Sequence, residues 1–283
     1  MTPRVWLITG ASSGFGRDMT GLVLKKGEIA IATLRKPEVL NDLKAKYPAD
    51  KLITIKLDVN NAQEIKEVFA QAKTAFGRID VVFNNAGWAI LGEGEATPED
   101  EARRLFDTNF WGATNVSREA VRFFREENKP SGGLLLNNSS VSGVKAVPGM
   151  AYYSASKHAL EGFTQALASE LDPEWNIKIS LVEPGSFVTA IADNMSAENT
   201  PSAYSNPNLP GSQVRQYVTK FEEVARDSAK GVQRIYDLSL VPNPPLRFPL
   251  GPDAVDAIKQ QVKLIEQDVV KYESWSEGLE LDK

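Results

Sequence analysis

Short apolar runs alternate with amphipathic stretches along most of this chain, and the alternation predicts its architecture. Residues 5–8, Val-Trp-Leu-Ile, read as a buried strand, followed by a glycine-rich turn and a helix through Lys26. Residues 29–34 predict a second strand with a helix over about 37–47. Residues 52–57 predict a third, with a helix over 62–76, and residues 79–83 a fourth. Thr97-Pro98-Glu99-Asp100 opens a long helix: threonine suits the cap, proline the first turn, and acids the positive end of the dipole. A fifth strand starts at 134–136, a helix covers about 153–171, and 177–182 is a sixth strand. The strands are continuously apolar, which indicates burial on both faces, as in a parallel sheet covered by helices. The repeating βα pattern therefore predicts an α/β fold with a doubly wound, open parallel sheet.

The character changes after Pro184. Residues 186–250 are rich in proline and polar residues, with a helix over about 212–237 between Asn206-Pro207-Asn208-Leu209-Pro210-Gly211 and Pro242-Asn243-Pro244-Pro245. Such an excursion inside a compact unit suits an extended substrate lid. No linker divides the chain, so one Rossmann-like domain over 1–283 is expected. The last helix carries Val255, Ile258, Val262, Ile265 and Val269 on one stripe, expected to pack on its own domain.

Composition narrows the chemistry. The chain has 283 residues, 42% of them hydrophobic, and a net charge of -5 with both signs interspersed. No basic patch is present, which argues against a nucleic-acid partner. With no cysteine, thiolate chemistry and disulfides are excluded; with His158 the only histidine, so is a multi-histidine metal site. There is no leader pattern and no apolar run of membrane-spanning length, so a cytoplasmic protein is expected.

Two motifs carry chemistry. Thr9-Gly10-Ala11-Ser12-Ser13-Gly14-Phe15-Gly16 joins the first strand to the first helix. Its glycines let backbone N–H groups approach a phosphate at a positive helix terminus, so a nucleotide site is expected there. The same stretch fits the Gly-x-Ser-x-Gly elbow of serine hydrolases, with Ser12 as nucleophile and His158 as base. That elbow would follow the first strand instead of a central one, and its base would sit beside a lysine in another motif. The second motif is Tyr153 and Lys157, four apart on one helical face. An ammonium there stabilises a phenolate and lowers the tyrosine pKa.

The glycine turn, Asn84-Asn85-Ala86-Gly87, Tyr153-x-x-x-Lys157 and Pro184-Gly185 follow one another in an order that resembles the short-chain dehydrogenase/reductase family, over residues 4 to about 190. The resemblance implies a catalytic tetrad of Asn109, Ser140, Tyr153 and Lys157. In it Ser140 would hold the substrate oxygen, Tyr153 would act as acid or base, Lys157 would bind the nicotinamide ribose, and Asn109 would order a water beside Lys157. It also implies a cofactor site made of Gly10, Ser12, Ser13, Gly14, Phe15 and Gly16. Asp58 matches the adenine-contacting aspartate, with Val59 beside it. Asn85, Ala86 and Gly87 match the adenosine wall, and Pro184, Gly185, Val188 and Thr189 the carboxamide segment. No metal site is implied.

At the end of the second strand Leu34 stands where NAD enzymes place an acid, and Arg35 follows. NADP(H) is therefore the expected cofactor, with NAD(H) less favoured. Ala32-Thr33-Leu34-Arg35-Lys36-Pro37-Glu38 and Leu246-Arg247-Phe248-Pro249-Leu250-Gly251-Pro252-Asp253-Ala254 resemble the steroid- and retinol-dehydrogenase-like branch. The expected function is interconversion of an alcohol and a ketone or aldehyde. The substrate would be a bulky apolar small molecule, in a pocket drawn from Trp88, Val141, Val147, Met150, Phe187 and Tyr204. A non-catalytic NADP-binding regulator is the alternative. The family's habits imply a homodimer or homotetramer.

Overall fold

The computed structural model describes residues 2–189, 195–197, 200–220 and 225–281. β1 (Val5–Thr9) leads into α1 (Gly14–Lys25), β2 (Ile29–Leu34) and the single turn α2 (Asn41–Lys44). β3 (Leu52–Lys56), α3 (Ala62–Phe76) and β4 (Val81–Asn84) follow. A two-residue strand, β5 (Ile90–Leu91), precedes α4 (Glu99–Phe106), a π-helical turn (Asp107–Gly112) and α5 (Ala113–Glu126). β6 (Gly133–Asn138), α6 (Ala151–Glu170) and β7 (Ile177–Pro184) complete the regular alternation. Beyond it lie β8 (Ser196–Ala197), α7 (Pro210–Thr219), α8 (Ser228–Leu238), β9 (Arg247–Leu250) and α9 (Pro252–Tyr272).

Seven strands form one sheet in the order β3-β2-β1-β4-β6-β7-β9, and every neighbouring pair is parallel. The order reverses between β1 and β4, so the loops leaving these strands part and open a crevice at their carboxyl ends. Alternate residues of each strand feed opposite cores. Trp6 and Ile8 pack with Phe15, Met19 and Val23 of α1 and with Val232 and Ile235 of α8. Val5 and Leu7 pack with Ile65 and Phe69 of α3 and with Val116 and Phe123 of α5. This two-faced burial is why the strands read as unbroken apolar runs.

A buried polar network ties the sheet to the helices that flank the crevice. The Asn84 amide donates to the Ala113 carbonyl at 2.8 Å and to Asn137 Oδ1 at 2.9 Å. Ser117 Oγ donates to the same Asn137 oxygen at 3.0 Å, and Asn137 Nδ2 donates to Thr164 Oγ1 at 2.9 Å. β4, β6, α5 and α6 are thereby held in register.

Several expectations change. The helix expected over 212–237 is not continuous among the described residues: α7 ends at Thr219, and α8 starts afresh where the Asp227 carboxylate accepts the N–H groups of Ala229 and Lys230. Residues 221–224 lie outside the described residues. The long helix starts at Glu99, not Thr97, whose hydroxyl instead donates to the Glu93 carbonyl at 3.0 Å. The polar excursion contains a seventh sheet strand, β9, and β8, which pairs with β5 in a separate two-stranded ribbon. Residues 190–194 and 198–199 of the expected lid also lie outside the described residues. The α9 stripe does not pack as expected. Its first two members, Val255 and Ile258, are half-buried beside the buried Ala254, while Val262, Ile265 and Val269 are more than half exposed. After Gln261 the helix runs past the edge of the body. Among the described residues no helix is long and apolar enough to cross a membrane.

Asn137→Ala removes three hydrogen bonds, leaving the buried Thr164 hydroxyl of α6 without its Asn137 donor and Asn84 and Ser117 with only their bonds to Ala113 and each other. Its expected cost is about 3 kcal/mol, measured as a lower urea midpoint at unchanged m-value.

Candidate active site

The glycine turn closes against β4 because two of its positions carry no side chain. Gly10 has φ 66°, and a Cβ on it would come within 2.9 Å of Ala86 Cα. A Cβ on Gly16 would lie 2.2 Å from the Gly10 carbonyl oxygen. Asn85 locks this contact: its backbone N–H donates to Thr9 Oγ1 at 2.8 Å and its amide to the Thr9 carbonyl at 3.1 Å. At the start of α1 the Ser13 side chain makes no capping hydrogen bond. The first-turn N–H groups are thus left for an incoming anion.

A cleft of about 1110 Å³ runs along the carboxyl ends of the strands. At one end it is lined by Gly10, Ser12, Ser13, Gly14 and Phe15 of the turn, by Arg35 after β2, and by Asp58 and Val59 after β3. Asn85, Ala86 and Gly87 form its middle. Ser140, Tyr153, Lys157, Pro184, Gly185 and Thr189 line the other end. The structure therefore brings together residues that are up to 179 positions apart in sequence. Three expected site residues do not line the cleft. Gly16 sits behind the turn. Asn109 is fully buried behind Gly87. Val188 is exposed, and its N–H is taken by the Arg226 carbonyl at 2.7 Å, so it is not free to hold a ligand.

Asn109 owes its position to the π-helical turn between α4 and α5, which inserts a residue and swings the side chain inward. Its Oδ1 accepts the Trp88 N–H at 3.1 Å, and its Nδ2 donates to the Trp88 carbonyl at 2.9 Å and to Ser156 Oγ at 3.2 Å. The side chain is a strut joining the loop after β4 to α6. A Cβ on Gly87 would come within 3.1 Å of Asn109 Oδ1 and 3.6 Å of Lys157 Nζ.

Ser140 ends the segment after β6, where its Oγ accepts the Ser142 N–H at 3.1 Å and faces Tyr153. Tyr153 and Lys157 are both buried on the first two turns of α6. The Lys157 ammonium donates to the Asn138 carbonyl at 2.9 Å and lies 5.9 Å from the Tyr153 ring centre. The electrostatics differ from the simple expectation. Burial raises the Tyr153 pKa above its ordinary value, and the hydrogen bond with Ser140 opposes the rise only in part. Burial likewise lowers Lys157 to about 8, with the Glu161 carboxylate pulling the other way. Among the protein's own groups, desolvation is the dominant influence on the phenol, and it works against the phenolate.

Behind Lys157 lies a cluster that motif reading passed over. Arg247 Nη1 sits 2.5 Å from Glu161 Oε2 and 2.8 Å from Glu183 Oε1, and both glutamates are buried. Burial and the neighbouring Glu161 push Glu183 up to about 7, and burial raises Glu161 as well. The signal was available: Glu161 is the third member of the series Tyr153, Lys157, Glu161 at four-residue spacing.

The apolar end of the cleft contains Trp88, Val141, Val147, Met150 and Phe187 as expected, but not Tyr204. Met195 and the α7 residues Val214, Tyr217 and Val218 complete it. The one-turn spacing of the α7 residues, three and four positions apart, was a readable sign. His158 is exposed, bonds the Ser154 carbonyl through Nδ1, and does not line the cleft with Ser12. A hydrolytic pairing of the two has no geometric basis. Among the described residues no group of three or more histidine, aspartate or glutamate side chains is placed to hold a metal.

Comparison with known proteins agrees with this geometry. The family model described as short chain dehydrogenase matches residues 4–200. An uncharacterized oxidoreductase of Schizosaccharomyces pombe is 35% identical over 257 residues, covering 90% of this chain and 84% of its own. A 3-ketodihydrosphingosine reductase of Bacteroides thetaiotaomicron is 34% identical over 254 residues, covering 89% of each. The crystal structure of a short-chain dehydrogenase from Streptomyces avermitilis superposes with a TM-score of 0.88 at 35% identity, over 99% of both chains. Fold, cleft and likeness lead to one conclusion: the chain belongs to the short-chain dehydrogenase family and is an oxidoreductase.

Proposed function

We propose that this oxidoreductase uses NADP(H) to interconvert an alcohol and a ketone or aldehyde, and that its substrate is a bulky apolar molecule. The observation that carries the reading is that Ser140, Tyr153 and Lys157 line the same cleft as the glycine turn. The residues present fit a dinucleotide: uncapped N–H groups at the start of α1, a turn tight enough for a pyrophosphate, and an exposed Arg35 where a ribose 2'-phosphate would lie. A nicotinamide bound there would supply or accept the hydride.

The chain's own groups handle the oxygen. Ser140 Oγ accepts the Ser142 N–H and turns its own proton toward the Tyr153 oxygen, where an incoming substrate oxygen would take up that donor. Tyr153, kept protonated by burial, gives its proton to that oxygen as negative charge develops on it. Lys157 stabilises the phenolate left behind and offers donors to a ribose. Asn109 acts as a strut, since its amide is committed to Trp88 and Ser156. The apolar lining from Trp88, Met150, Met195 and α7 supports a bulky substrate, as does the name of the Bacteroides relative. The segment 186–250 would act as the lid over that end.

NADPH consumption across a panel of bulky ketones and aldehydes tests the reading. Tyr153→Phe should lower kcat/KM by roughly 10²–10⁴-fold while NADPH still binds. Cofactor binding without turnover by the wild type on any member of the panel would favour the regulator.

Arg35→Asp separates the cofactors. The NADPH dissociation constant should rise at least about tenfold through loss of a charge-assisted phosphate contact, with little change for NADH. An unchanged preference in a fluorescence titration would mean that Arg35 is not the phosphate clamp.

A further inference from the structure

The proton-transfer reading above leaves a buried cluster unused, and its charges do not balance without Lys157. Glu161 and Glu183 are 3% and 0% exposed, and they share one guanidinium, Arg247. Two ionised carboxylates against one cation would leave a net negative charge inside the protein, which is costly in a low dielectric. One carboxylate oxygen of each glutamate, Glu161 Oε1 and Glu183 Oε2, is buried with no hydrogen-bond partner. The second cation is Lys157, one helical turn before Glu161 on the same face of α6. Its ammonium and the Glu161 carboxylate each stabilise the other's charge. Counted together, two carboxylates and two cations close the balance.

We propose that Glu161 is a positioning residue for this site: its carboxylate is the counter-charge that keeps the buried Lys157 ammonium protonated beside Tyr153, and Arg247 and Glu183 set how much of that charge it carries.

The neighbours define how this works. Facing Lys157 are Tyr153 and Glu161 from its own helix, the Asn138 carbonyl from the end of β6, and the Asn109 amide oxygen across Gly87. Facing Glu161 are Arg247 from β9, Glu183 from β7, Ser139 after β6, and Lys157. The glutamate pair is the group that adjusts. In acid it holds a proton, which gives the unpartnered oxygens a partner. Burial holds both carboxyls toward the protonated form, while Arg247 and Lys157 pull Glu161 back, so each carboxylate that ionises as the pH rises adds negative charge behind Lys157.

The inference rests on the proposed proton-transfer role for its importance to catalysis, but not for its test. The direct measurement is the titration of Lys157 by carbon-detected NMR of protein labelled at lysine Cε, with the signal assigned from its absence in Lys157→Met. Glu161→Gln keeps the shape and removes the charge. It should move the Lys157 midpoint down by about one pH unit. Glu161→Asp should bring most of that shift back. Glu183→Gln disturbs the same cluster equally but leaves the Glu161 charge in place. It should leave the Lys157 midpoint within about a third of a unit and abolish the glutamate step near neutrality. Equal downward shifts in Glu161→Gln and Glu183→Gln, or none in the former, would overturn the proposal.

If Glu161→Gln does not fold, the wild-type protein still decides the matter. The Glu161 carboxyl carbon should shift at the Lys157 midpoint as well as at its own, and a flat signal there refutes the coupling. In the enzyme assay the alkaline limb of kcat/KM should move to lower pH in Glu161→Gln, with the loss concentrated above that limb. A pH-independent loss would indicate a merely structural role. Absence of all turnover with the expected NMR shifts would refute the functional reading and leave this inference standing.

Discussion

A lysine ammonium taken out of water is the constraint around which this site is organised. Lys157 is buried, and desolvation alone drives it toward the neutral form. Two features oppose that drift, the Asn138 carbonyl that accepts its hydrogen bond at 2.9 Å and the Glu161 carboxylate one turn away, while the bare Gly87 backbone leaves the room in which the ammonium sits. Each comes from a different part of the sheet or its helices. β6 must end at Asn138, α6 must present Tyr153, Lys157 and Glu161 on one face, and the loop after β4 must carry a residue without a side chain. Displacing any one of these elements would leave a buried charge without support.

Around this core, the scaffold acts mainly to hold two crevice walls at a fixed separation. The asparagine network of Asn84 and Asn137 joins β4 and β6 to α5 and α6 through buried hydrogen bonds. Asn109 does the same one layer out, on a π-helical turn that a regular helix could not supply. The glycine turn is pressed onto the end of β4 until a single methyl group would not fit. The geometry is therefore preorganised by buried polar bonds and close backbone contacts rather than by the apolar layers, which fix the fold but not the positions of single atoms.

Much of this was legible from the chain. The unbroken apolar strands indicated a sheet covered on both faces, and the order of strand and helix indicated its doubly wound path. The glycine turn, Asn85-Ala86-Gly87, Ser140, Tyr153 and Lys157 were each readable as motif positions, and they do meet in one cleft. Two-residue strands such as β5 and β8 carry no periodic signal, so they were invisible. The break between α7 and α8 was hidden because Asp227 reads equally well as a solvated helix residue and as a cap. Val188 matched a motif, yet its N–H had already been taken by Arg226, a residue 38 positions away. The α9 stripe promised burial, but periodicity reports a face and not what lies against it.

By itself, then, the sequence determined the regular strand–helix alternation as far as β7, the fold class, the family and the residue types at the reacting centre, because these rest on local periodicity and short spacings. The direction of the Tyr153 pKa shift was decided only by the tertiary structure, as was the commitment of Asn109 to a strut and the meeting of Glu161 with Arg247 and Glu183. The reason is physical. Desolvation and charge pairing depend on what surrounds a group in three dimensions, and the groups that surround Lys157 come from α6, β6, β7 and β9, which only folding brings together.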